Sequence, residues 1–87
     1  SGIQSSYVLY RTGDIVNISA RSMGAMNVQL IMEMLGGGGH QTMAAAQLSN
    51  ISVSDAKVRL LQVIDQFYAQ INAQEEAPQE RPEEMQN

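Results

Sequence analysis

Residues 35–48 read LGGGGHQTMAAAQL, with four consecutive glycines set directly against the only histidine of the chain. Glycine inside a regular element costs roughly 0.5–1 kcal/mol relative to alanine, because it has more backbone freedom to lose on folding. At 87 residues the chain makes one domain. A domain of this size buries only about 60% of the surface its unfolded chain exposes, so four such residues are a heavy cost. The run is therefore either a slack linker or a place where backbone must come close to something. Linkers usually carry Ser and other polar residues, whereas this run lies between Leu35 and an apolar, small-residue segment.

Patterning on either side sets the frame. Ser6–Arg11 is aromatic and β-branched and predicts a strand. Gly13-Asp14 suits a two-residue hairpin turn, with Gly at the position that needs φ > 0. From Ile15 to Arg21 the residues alternate, Val16, Ile18 and Ala20 to one side and Asn17, Ser19 and Arg21 to the other. Asn27 fits an N-cap, followed by Val28, Ile31, Met32 and Leu35 at helical spacing and by Gly36 where a helix-ending glycine belongs. Met43–Leu48 is expected to be at most a helical turn running into a short strand, since three alanines favour helix. A second, longer helix opens at Ser52-Val-Ser-Asp55, an acidic capping box, with Val53, Ala56, Leu60, Ile64, Phe67 and Ile71 as its core stripe. The expected class is α+β (α/β-like): a small mixed sheet with two main helices, with one sheet face and at least one edge poorly covered. The chain looks like part of something larger.

Charge and composition narrow the chemistry. Residues 74–87 hold five Glu and one Arg together with both prolines, which predicts a disordered acidic tail behind a domain spanning residues 1–73. The acidic and basic residues of that domain balance. With no cysteine and a single histidine, the usual self-contained zinc site is excluded. No apolar run approaches the ~20 residues of a membrane span, and no signal-peptide pattern opens the chain. The acids are scattered, so the clustered Asp and His of metal-assisted phosphate hydrolysis are not in view. No catalytic residue and no metal ligand is expected on this chain.

Two features remain that could hold a ligand. Successive glycine N–H groups can wrap an anion, with His40 adding a donor, although the Lys and Ser/Thr of a Walker loop are missing. Generic rules leave a linker and an anion site about even. Arg21 ends the polar side of the second strand, and its planar guanidinium suits phosphate as well as it suits open solvent.

The surrounding residues supply the context. Ile18-Ser-Ala-Arg-Ser22, then Asn27-Val-Gln-Leu-Ile-Met32, then residues 35–48, and Ile51-Ser-Val-Ser-Asp55 at the head of the last helix resemble the DHH-associated domain of DHH-family phosphoesterases. Within that superfamily the match, from Ile3 to Phe67, is most similar to the membrane-anchored cyclic-di-AMP phosphodiesterases of the GdpP, or YybT, type. The resemblance implies a two-lobed enzyme in which an N-terminal DHH lobe holds manganese and cuts, while the C-terminal lobe closes over the cleft and contacts substrate. It carries substrate contact onto Gly37, Gly38, Gly39 and His40, and places Arg21 toward the cleft. It also implies that this chain is an incomplete C-terminal lobe, inactive alone, without cofactor of its own. Its expected partners are a cyclic dinucleotide and the DHH lobe, with neither duplex nucleic acid nor direct membrane contact. The expected location is a cytoplasmic domain of a membrane-anchored parent. Two alternatives stand beside this reading: the same lobe from an oligonucleotide (nanoRNA or pApA) phosphoesterase, and a non-catalytic packing or dimerisation module.

Overall fold

The structure, a computed structural model, describes residues 4–76. In chain order it has strand β1 (Ser5–Thr12), strand β2 (Ile15–Ser22), helix α1 (Val28–Glu33), strand β3 (Gly38–Gly39), strand β4 (Met43–Ser49) and helix α2 (Val53–Glu76). The strands form one sheet in the order β1-β2-β4-β3. The expected α+β class is what the chain adopts. Every pairing is antiparallel, however, where a mixed sheet was expected.

The hairpin forms as the residues require. Thr12 pairs with Ile15 across Gly13-Asp14, and Gly13 has φ +60°, the backbone of a type II′ turn. Arg11 locks this end of the sheet to the start of α2, donating to the Gly13 carbonyl at 3.2 Å and the Ile51 carbonyl at 3.0 Å. Asn27 caps α1 as its position predicts, its Oδ1 accepting from the N–H groups of Gln29 at 3.0 Å and Leu30 at 3.3 Å. Ser52 caps α2 by accepting from the Asp55 N–H at 3.0 Å.

Both helices pack on one face of the sheet. Val16, Ile18 and Ala20 of β2 and Ala44, Ala46 and Leu48 of β4 meet Val28, Ile31, Met32 and Leu35 from α1 and its end, and Ala56, Leu60 and Phe67 from α2. Each large side chain buried here contributes about 1.5–3 kcal/mol. Tyr7 reaches the same layer from β1. Burial raises its phenol above the ordinary value, a hydrogen bond donated by Ser5 at 2.9 Å lowers it in part, and Tyr68 of α2 raises it again. The opposite face of the sheet carries no helix among the described residues.

The structure differs from the sequence-based expectation at four further points. Met43–Ser49 is strand throughout, with alternate residues buried, because pairing with β2 along seven positions outweighs the helix propensity of three alanines. The glycine run itself supplies a strand, β3, which composition gave no reason to expect. Val53 stays exposed on the first turn of α2 and outside the core, while Ala56 one turn on is buried and Ile51, just ahead of the helix, packs against the core. The backbone of α2 continues to Glu76, and the rest of the acidic tail expected over 74–87 lies outside the described residues.

Candidate functional site

The four glycines divide by cause. Gly36 has φ +84° and closes α1: its N–H bonds to the Glu33 carbonyl at 3.0 Å, and the next N–H, of Gly37, to the Met32 carbonyl at 2.8 Å. These two bonds make a Schellman motif, which requires a left-handed residue at Gly36. Gly37 is bare for a different reason. A Cβ there would stand 2.1 Å from the Ala45 carbonyl oxygen and 2.7 Å from the Ala46 Cα. Gly39 combines φ +141° with a Cβ position 2.6 Å from the Ala44 Cα. Close packing of β3 on β4 therefore accounts for Gly37 and Gly39. A Cβ added at Gly38 would meet nothing within 4 Å, and its φ is ordinary. Of the run, Gly38 alone is not required by the fold.

Register then gathers the other candidates. Arg21 pairs with Met43, and the His40 N–H donates to the Met43 carbonyl at 2.7 Å. Arg21, Met43 and His40 thus form one row across three adjacent chain segments at one end of the sheet. At strand spacings of about 4.8 Å, Arg21 and His40 lie roughly 10 Å apart at the backbone. One row further in, Ser19 pairs with Ala45 and Ala45 with Gly38. Beyond that, Asn17 pairs with Gln47. Strand alternation puts Asn17, Ser19, Arg21, Met43, Ala45 and Gln47 on the face away from the helices. Arg21 and His40 are exposed, and neither side chain hydrogen-bonds to another described residue.

The five residues singled out in the sequence therefore fall into two groups. Arg21, Gly38 and His40 come together at one end of the open face and are available to a ligand. Gly37 and Gly39 lie beside them and shape the strand that carries Gly38. Sequence reading placed Asn17 and Ser19 beside Arg21 but missed Ala45 and Gln47 as members of this face. The alternation of Met43, Ala45 and Gln47 with Ala44, Ala46 and Leu48 was a signal for it, weakened because both sides contain alanine.

Chemically, a guanidinium, an imidazole and exposed backbone over a small-residue floor suit an anion of phosphate type. Among the described residues no three His, Cys, Asp or Glu side chains cluster as metal ligands. Two clefts lie elsewhere on the described residues. One, about 380 Å³, is lined by Arg11, Asp14, Asn50, Ile51, Ser52 and Asp55 at the opposite end of the sheet, where Arg11 is already tied to carbonyls. The other, about 480 Å³, includes Met26, Phe67 and Ile71 on the helix side. Arg21 and His40 line neither of these clefts. No helix of the described residues is long and apolar enough to cross a membrane.

The sequence matches the DHHA1 domain family over residues 3–70. It is 52% identical over 69 residues to the cyclic-di-AMP phosphodiesterase GdpP of Geobacillus thermodenitrificans (strain NG80-2), covering 78% of this chain and 10% of that protein. The same identity, length and shares hold for GdpP of Bacillus subtilis (strain 168). The cyclic-di-AMP phosphodiesterase PdeA of Listeria monocytogenes serotype 1/2a (strain 10403S) is 46% identical over 68 residues, 77% of this chain and 10% of that protein. The chain thus spans about a tenth of the length of these curated relatives.

Proposed function

The chain belongs to the DHHA1 domain family, and from that premise we propose that it is the substrate-binding part of a longer cyclic-di-AMP phosphodiesterase of the DHH family. The observation that carries this reading is the row Arg21–Met43–His40, with Gly38 in the row beside it. It gathers phosphate-binding groups on one open face and leaves that face free to meet the lobe that cuts.

In this account the reaction opens one phosphodiester of cyclic-di-AMP to give pApA. Water's oxygen joins phosphorus, the bond to the 3′ oxygen breaks, and a proton ends on that oxygen. Manganese held by the DHH lobe would activate the water and stabilise charge on the phosphoryl oxygens. The residues of this chain do a different part. Arg21 and His40 donate hydrogen bonds to non-bridging phosphate oxygens, and Gly38 lets the ester lie close to backbone. The domain binds and orients, and contributes no group to proton transfer. The parent enzyme would be anchored in the cell membrane, with this domain on the cytoplasmic side.

His40→Ala in a full-length phosphodiesterase carrying this domain is expected to lower kcat/KM for cyclic-di-AMP about 10- to 100-fold, the range for losing one hydrogen bond to a charged oxygen. Bound manganese should be unchanged. An unaltered kcat/KM would favour the packing-module alternative. Faster turnover of linear pApA than of cyclic-di-AMP by the unaltered enzyme would move the assignment to the oligonucleotide-degrading alternative.

A further inference from the structure

The open face holds one side-chain network beyond the phosphate-binding row. Gln47 Nε2 donates to Asn17 Oδ1 at 3.1 Å. Asn17 Nδ2 in turn donates to Thr12 Oγ1 at 2.8 Å and to the Tyr10 carbonyl at 3.4 Å. A backbone carbonyl can only accept, so the Asn17 amide is oriented with its nitrogen toward β1 and its oxygen toward β4. That oxygen in turn fixes Gln47, whose nitrogen must face Asn17. Gln47 is left presenting Oε1 and one further N–H, and among the described residues neither has a partner. Gln47 is exposed while Asn17 is half-buried, which suits a reader held by a support.

The position of this pair is specific. Asn17 is four residues from Arg21 along β2, about 13 Å at the usual strand rise. The row between them is Ser19, Ala45 and Gly38, small residues that form a smooth floor. Val8, which pairs with Ser19, stands 60% exposed at the β1 side of that floor. A phosphate at Arg21 and His40 would set the attached nucleoside over the floor, with the outer edge of its base reaching Gln47.

Resting on the proposed phosphate-binding role of Arg21 and His40, we infer that Gln47 is a specificity-determining residue that reads the adenine edge of the substrate, and that Asn17 is its positioning residue. A carboxamide pairs bidentately with adenine, its oxygen accepting from N6–H and its nitrogen donating to N7. Guanine presents O6 in place of the N6 donor, which sets two acceptors against each other. Asn17 makes the discrimination rigid by preventing the Gln47 amide from flipping.

The test is an NMR titration of the 87-residue chain with AMP, GMP and ribose 5-phosphate. All three should shift the backbone amides of Gly38–His40. Only AMP should shift the Gln47 side-chain NH₂ pair, and AMP should bind about tenfold more tightly than GMP. In Gln47→Leu the preference should fall to near unity with ribose 5-phosphate affinity unchanged. Asn17→Ala should lose most of the preference at unchanged ribose 5-phosphate affinity, with the melting temperature lowered by the loss of its cross-strand hydrogen bonds. If ribose 5-phosphate perturbs Gly38–His40 while AMP leaves Gln47 unmoved, or if Gln47→Leu keeps the preference, the base-reading role is overturned and the phosphate site stands. If no ligand perturbs Gly38–His40, the phosphate site fails and the inference fails with it.

Discussion

Gly37→Ala is expected to lower the melting temperature of the chain by about 12–24 °C, on a cost of about 3 kcal/mol at roughly 4–8 °C per kcal/mol. The added methyl has nowhere to go. Its nearest neighbours are the Ala45 carbonyl oxygen at 2.1 Å and the Ala46 Cα at 2.7 Å, which are backbone atoms of a central strand and cannot rotate away. Relief requires either β3 to leave β4 or the hydrogen bond from Gly37 to Met32 to open, and the latter unlatches the end of α1. Gly38→Ala supplies the internal contrast. It has open space and ordinary φ, so it should fall within about 0.5 kcal/mol of the parent or gain slightly through a less flexible unfolded chain. Thermal unfolding of the two variants side by side checks the assignment. Equal melting temperatures would contradict it.

The same contrast shows where sequence reasoning stops. That the run is unusual, and that Gly36 ends a helix, could be read from spacing and propensity, because a helix end is a local event. The hairpin at Gly13-Asp14, the alternation of β2 and the Asn27 cap were legible for the same reason. Close packing of Gly37 and Gly39 on β4 was not, since it depends on a pairing between segments whose partnership no local pattern states. The strand character of Met43–Ser49 was hidden by its alanines. Alanine is small enough to lie under α1 and to form a floor on the open face, but its propensity points to helix. The site shared this fate: Arg21 and His40 were visible as residue types, while the row that joins them exists only through the register of β2 with β4. Gln47 was marked only by the alternation along residues 43–48, which the alanines blurred.

Arg21→Ala is expected to have the largest functional effect. Arg21 is exposed and its side chain hydrogen-bonds to no other described residue, so truncation should leave stability within about 0.5 kcal/mol. Its binding contribution is another matter. A guanidinium can give two parallel charge-assisted bonds to one phosphate, and such bonds are roughly twice as strong as neutral ones. In a full-length phosphodiesterase carrying this domain, kcat/KM for cyclic-di-AMP should fall about 100-fold or more, on about 3 kcal/mol of lost contact. Arg21→Lys should recover only part of this, because an ammonium supplies the charge without the planar fork. A melting temperature that falls in step with activity would instead assign Arg21 a structural role.

Phosphodiester recognition by this face is tested most directly by mapping backbone amide perturbations as cyclic-di-AMP is added to the isotopically labelled 87-residue chain. The perturbed amides should cluster at Gly38, Gly39, His40 and Ser19–Arg21, and the cluster should vanish in Arg21→Ala while the rest of the spectrum stays in place. Perturbations confined to the cleft lined by Met26, Phe67 and Ile71, or a map that Arg21→Ala leaves unchanged, would contradict it.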